Sequence, residues 1–299
     1  MNHVKMIAIA IILATTFGCN DDVTIDGNAV STDLIYTDTE TYGNALADQV
    51  TAGDGAGIDN TFRNSGVVIN EADDTYFAVN GVHPVNGGDY TSYNPKSVVK
   101  ASLTTDEVVQ AFPFSGVNGH EVDMEALTFG PEDGYLYIGD EYNYIYKMNL
   151  TNGDIEEEWD LSEIGVSTNV DKGIEAITYS AATGAFYVGI QDLSAVIAVT
   201  LGENGAVTKG VEFAVADSPS GLFAHADGSL YVLTFSAIYQ FSTDGTQSCQ
   251  VSIPDGLGMT RPDGIYIDSN NEYIYLADSQ GPLNGGHSMY KIGWTKPCD

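Results

Sequence analysis

Three carboxylates stand at the same place in a repeated phrase of this 299-residue chain. Glu125, Glu175 and Asp263 each open a short apolar run, and Ser65 and Ser220 open two further copies. The runs read Ser65-Gly66-Val67-Val68-Ile69, Glu125-Ala126-Leu127-Thr128-Phe129, Glu175-Ala176-Ile177-Thr178-Tyr179, Ser220-Gly221-Leu222-Phe223-Ala224 and Asp263-Gly264-Ile265-Tyr266-Ile267. Carboxylates gathered around one axis repel one another unless they are protonated or bridged by a cation. A hard divalent ion with oxygen ligands suits such a set, and Ca²⁺ is the ion expected. Asp140, Glu141, Asp192 and Asp278 follow the next apolar run of their copies and are candidates for the same cluster. The other reading of all these acids is that they cap turns and accept backbone N–H groups, and the sequence leaves both open.

For the anchors to meet, the elements behind them must be arranged radially. Phe77, Tyr137, Tyr187, Tyr231 and Tyr275 each lie 11 or 12 residues after an anchor, at the centre of a second strand. Short strands repeating every 43 to 60 residues predict an all-β propeller. Five four-stranded blades are detectable, in a ring of five or six. The start of each innermost strand then faces the central channel. Since strands one and two are antiparallel, Asp140, Asp192 and Asp278 fall at the same end as the anchors. Asp133-Gly134, Asn152-Gly153, Asp227-Gly228 and Asp244-Gly245 supply the turns. Only five residues follow Trp294, too few for a fourth strand in the fifth blade. A strand at Val30 to Tyr36 is therefore expected to complete that blade and close the ring.

The charge narrows the partners. With 42 acidic residues against 10 basic, the net charge is −32, which repels nucleic acids and anionic lipid surfaces and attracts cations. Hydrophobic residues make up 43% of the chain, enough for a packed core. Lys5 precedes an apolar stretch from Met6 to Thr16, and Gly18 stands directly before Cys19, in a pattern resembling a bacterial lipobox. The expected organisation is a lipoprotein signal peptide at 1–18, a tether at 19–29 and one propeller domain at 30–299. Lipid on Cys19 would anchor the protein to a membrane of the cell envelope, on the periplasmic side or at the cell surface. The two remaining thiols, Cys249 and Cys298, are then free to pair in an oxidising compartment.

Signatures of catalysis are few. No nucleophile elbow, zinc-binding helix, P-loop or dinucleotide fingerprint occurs. Asp22, Thr24, Asp26, Gly27 and Asp33 match EF-hand spacing, but Thr at the third position and Asp at the twelfth depart from it. His120, before Glu121 and Asp123 in the loop entering the second blade, is placed near the channel face and suits a general base. Two long excursions, after Asn80 with His83 and after Asp278 with His287, sit in blades that become neighbours when the ring closes.

The run Asp123 to Phe129, then Tyr135 to Glu141, then Tyr144 to Met148, resembles the SdiA-regulated family of exported bacterial propellers. Gly173 to Tyr179 and Pro262 to Ile267 repeat the wording, and the resemblance spans roughly residues 62 to 294. The opening of acid, small and aliphatic residues is also similar to NHL repeats, to gluconolactonases and paraoxonases, and to phytase-like esterases. The resemblance implies a fold and an exported location more than an activity. Two functions remain. One is a non-catalytic envelope module that binds a small ligand or an envelope protein at its channel face. The alternative is a calcium-dependent lactonase or phosphoesterase using Glu125, Glu175 and Asp263 as metal ligands.

Overall fold

The computed structural model describes residues 30–33, 39–42, 64–80, 97–114, 122–167, 169, 172–253, 257–280 and 288–294. Two N-terminal strands, β1 (Val30–Asp33) and β2 (Thr39–Tyr42), precede five sheets. The first blade is β3 (Asn64–Asn70), β4 (Thr75–Asn80), β5 (Ser97–Ser102) and β6 (Val108–Pro113). The second is β7 (Met124–Phe129), β8 (Tyr135–Asp140), β9 (Tyr144–Asn149) and β10 (Ile155–Asp160). The third is β11 (Ile174–Ser180), β12 (Ala185–Ile190), β13 (Ala195–Leu201) and β14 (Val207–Ala214). The fourth is β15 (Gly221–Ala224), β16 (Ser229–Leu233), β17 (Ala237–Ser242) and β18 (Gln247–Ser252). The fifth is β19 (Pro262–Ile267), β20 (Tyr273–Asp278) and β21 (Met289–Gly293), completed by β2. The result is a five-bladed β-propeller, with short helical turns at Ser162–Ile164 and Glu203–Gly205.

Hydrophobic contact between blades, not within them, holds the ring together. Val68, Phe77 and Val79 of the first blade pack against Met124, Leu127 and Ile138 of the second. Ala126 and Tyr137 then pack against Ile174, Ile177 and Phe186 of the third. Equivalent clusters join the third blade to the fourth and the fourth to the fifth. Val67, Ile69 and Tyr76 meet Tyr275, Ala277 and Met289, which closes the circle from the fifth blade back to the first. Each inner and second strand is therefore covered on both faces, which explains its nearly unbroken apolar sequence. The five second-strand aromatics are all buried in these layers. The Asp-Gly turns behave as expected, with Gly134 and Gly228 at φ of 84° and 89°, where a side chain would be strained.

The N-terminal contribution differs from expectation. The strand that completes the fifth blade is β2, antiparallel to β21 with Thr39 opposite Ile292. Residues 30–33 instead form β1, a fifth strand added in parallel to the outer edge of the fourth blade, with Val30 opposite Cys249. Thr39-Glu40-Thr41-Tyr42 carries no apolar run, and an outermost strand, with a partner on one side only, does not need one. Cys249, on β18, is disulfide-bonded, while Cys298, its expected partner, lies outside the described residues. So do the leader, Cys19, the 22–33 EF-hand-like span apart from β1, His83, His120 and His287.

A candidate metal centre at the channel mouth

The anchors are set by a shared irregularity in the inner strands. Register shifts fall between Asn64 and Gly66, Met124 and Ala126, Ile174 and Ala176, and Pro262 and Gly264. Ser65, Glu125, Glu175 and Asp263 are each the extra residue of a β-bulge, a device that re-aims one side chain out of the alternating pattern. The residue after each anchor is small because the inner strands nearly touch. A Cβ on Gly66 would lie 2.9 Å from the Ala126 Cα, and one on Gly221 would lie 3.1 Å from the Gly264 Cα. All five anchors are buried. Burial and the charges of Asp123, Glu175, Glu141 and Asp263, in that order, hold the Glu125 carboxyl well above the usual range. Glu175 is raised by burial, then by Glu141 and Asp263, with Arg261 opposing. The structure thus brings Glu125, Glu175 and Asp263 within electrostatic reach of one another.

Two further positions recur beside each of the three acidic anchors. The residue just past the second strand donates its backbone N–H to the carbonyl of the residue two before the anchor. The pairs are Glu141 to Asp123 (2.9 Å), Gln191 to Gly173 (3.0 Å) and Ser279 to Arg261 (3.1 Å). Side chains at these positions decide the chemistry blade by blade. In the third, the Gln191 amide donates to Glu175 Oε1 at 2.7 Å. In the fifth, the Ser279 hydroxyl donates to Asp263 Oδ2, and Arg261 Nε lies 3.2 Å from Asp263 Oδ1. In the second blade both supporting residues are acids. Asp123, Glu125 and Glu141, all buried, each present a carboxylate oxygen, and these lie within 4.8 Å of one another.

That triad is the set of residues suited to a divalent ion. Both Glu125 oxygens are buried and have no hydrogen-bond partner among the described residues. A buried carboxylate with nothing to bond is costly unless it is protonated or bound to a cation. Of the expected trio, Glu125 belongs to this cluster with Asp123 and Glu141, while Glu175 is bonded by Gln191 and Asp263 by Ser279 and Arg261.

The remaining candidates divide. Asp140 is fully buried and accepts the N–H groups of Tyr142 at 2.8 Å and Asp123 at 3.3 Å, so it shapes the loops that carry the triad. Burial raises it to about 7 against those bonds. Asp278 does the same in the fifth blade, accepting from the N–H groups of Thr260, Arg261 and Gln280. These two are turn caps, as the second sequence reading had it. Asp192 lies at the same end but is exposed and accepts from Ser167 Oγ at 2.8 Å. The register explains this, because Ile190, not Asp192, stands opposite Ile174 in the place of Asp140. Ser220 Oγ donates to the Pro262 carbonyl at 2.7 Å and ties two blades together. Ser65 Oγ is buried without a partner among the described residues. His225 is at the opposite end of its blade, beside Asp227 in the β15–β16 turn.

Arg261 escaped the sequence reading. Its side chain is largely buried, 3.9 Å from Glu175 Oε2, and its charge also reaches Glu125. Its one signal is its place two residues before an anchor, where the second blade has an acid.

Comparison with known proteins agrees with this architecture. No curated protein matches the chain. Glutaminyl cyclase of Myxococcus xanthus superposes with a TM-score of 0.57 at 10% identity, over 90% of this chain and 100% of that one, a likeness of fold alone. Virginiamycin B lyase of Staphylococcus aureus aligns with a TM-score of 0.43 at 14% identity, over 80% of this chain and 73% of that one, too slight to argue from. The phytase-like model, described by the esterase-like activity of phytase, matches residues 63–234, which hold the whole triad and the first four inner strands. The chain belongs to this phytase-like family.

Proposed function

We propose that this propeller is a calcium-dependent ester hydrolase working at the channel mouth, exported to the cell envelope and held there by lipid on Cys19. The observation that carries the catalytic reading is the Glu125 carboxylate, buried with two unpartnered oxygens beside Asp123 and Glu141. The family's description points to the same class of bond. Asp123, Glu125 and Glu141 would hold the ion. A bound dication polarises an ester carbonyl or phosphoryl oxygen and makes a nearby water a better nucleophile.

The chain's own side chains do the rest. Gln191 and Arg261 fix the Glu175 carboxyl, and burial among acids raises its hold on a proton above that of an ordinary carboxyl. It is placed to give its proton to the leaving oxygen as the ester bond breaks. The attacking water's oxygen bonds to the acyl or phosphoryl centre, and a water proton restores the carboxyl. Arg261 offsets the surrounding negative charge and favours the acid product's oxyanion.

Calorimetric titration of metal-free protein with Ca²⁺, together with aryl ester and phosphoester turnover, tests the proposal. We expect saturable binding, turnover only with the ion, and at least a tenfold loss of affinity in Glu125→Gln. Binding without turnover on either ester class would favour the non-catalytic envelope module. Neither binding nor turnover would end both metal readings. Labelling with a fatty acid, lost in Cys19→Ala, tests the anchor.

A further inference from the structure

At the anchor end of the blades, apolar side chains are exposed on the short turns between second and third strands. Phe235, in the β16–β17 turn, is 42% exposed, and Leu193, in the β12–β13 turn of the neighbouring blade, is 43% exposed. Both turns lie at the anchor end, since Leu233 is paired with Gly221 and Ile190 with Ile174. Phe235 is held out by its turn. Thr234 donates both its N–H and its hydroxyl to the Ala237 carbonyl, at 2.8 and 3.1 Å, and Ala237 N–H returns a bond to Thr234 Oγ1. The Arg261 guanidinium lies 5.3 Å from the Phe235 ring centroid while its edge faces Asp263 and Glu175. An exposed aromatic face, a rigid turn and a guanidinium over the ring together make a platform for a planar apolar group joined to an oxyanion.

The local charge limits what else can bind. Around the mouth stand Asp123, Glu125, Glu141, Glu175 and Asp263 against Arg261. One dication and Arg261 offset much of that local charge, but the whole chain carries −32, so a polyanion is repelled at long range. We infer that Phe235, with Leu193 and Arg261, forms the subsite for the non-leaving part of the substrate, and that this substrate is an ester with an aryl or acyl apolar group and at most one negative charge, not a polyphosphate. The inference rests on the proposed hydrolase for the word substrate, but the subsite can be tested without turnover.

The probes are 4-phenylbutyrate, a product-like monoanion, and inositol hexakisphosphate, titrated into calcium-saturated protein and followed by ligand-observed NMR and calorimetry. We expect 4-phenylbutyrate to bind the wild type, to bind about tenfold more weakly to Phe235→Ala, and to recover in Phe235→Trp. Calcium affinity should be unchanged in Phe235→Ala, which separates loss of the subsite from loss of the metal centre or the fold. If calcium fails to bind, the hydrolase falls, and the same titration on metal-free protein still reads the platform. No binding of 4-phenylbutyrate, an affinity within twofold in Phe235→Ala, or tighter binding of the hexakisphosphate would each overturn the inference.

Discussion

Glu125 and Glu175 are buried acids that resist losing a proton, and burial similarly raises Asp263 and Asp140 to about 7 each. A carboxyl whose folded pKa lies above its unfolded one favours the folded state at low pH. That contribution is complete below about pH 4 and is lost as pH rises through the folded value. Metal-free protein should therefore melt at a higher temperature at pH 5 than at pH 8. Calcium should restore stability mainly at pH 8, because the ion replaces the protons. Scanning calorimetry of wild type and of the Glu125→Gln, Asp263→Asn double variant checks this. The variant should show a narrower gap between the two pH values, and an unchanged gap would remove these carboxyls as its source. The sequence made Glu125 legible because its neighbours repeat around it. Asp123 and Arg261 occupy one structural place with opposite charges, so no repetition marks them. Only the backbone bonds from Glu141 and Ser279 reveal the equivalence.

The inner strand is where the sequence spoke most clearly, because every residue in it answers to a constraint. The bulge selects a polar anchor, the close approach of neighbouring strands selects Gly or Ala next, and burial on both faces selects the aliphatic run. Gly66 is a sharp test of this packing. Its missing Cβ would sit 2.9 Å from the Ala126 Cα and 3.0 Å from the Glu125 carbonyl oxygen, both backbone atoms that cannot swing away. Gly66→Val should cost about 1–3 kcal/mol in urea titrations and weaken calcium binding, since the displaced strand carries Glu125. Gly134 is the control for packing. A Cβ there meets nothing within 4 Å, so Gly134→Asn, which tolerates positive φ, should stay within about 1 kcal/mol of wild type. Equal losses at both sites would refute the close-packing account. The outer elements were harder to read for the complementary reason. Strand β2 has one sheet partner, so its sequence is not bound to an apolar pattern.

At the scale of the molecule, the two N-terminal strands act on adjoining blades. Strand β2 supplies the fourth strand of the fifth blade, and β1 adds a parallel strand to the edge of the fourth, against the segment that holds disulfide-bonded Cys249. The fifth blade in turn packs on the first through Tyr275, Ala277 and Met289, so a fault in the fifth reaches the seam of the ring. Among the described strands, removing residues through 36 takes away β1 alone, along with the leader and Cys19. The fourth blade keeps its own four strands, and the protein should stay folded with a modestly lower melting temperature. Removing residues through 44 also strips β2 and leaves the edge of β21 bare, an open template for pairing with other chains. That truncation should lower the melting temperature further, broaden the unfolding transition and promote association, all visible by circular dichroism and light scattering on matched samples. Calcium binding discriminates the cause. The triad is confined to the second blade and its entry loop, so the shorter truncation should bind the ion as wild type does. If both truncations melted alike, β2 would not be what completes the circle.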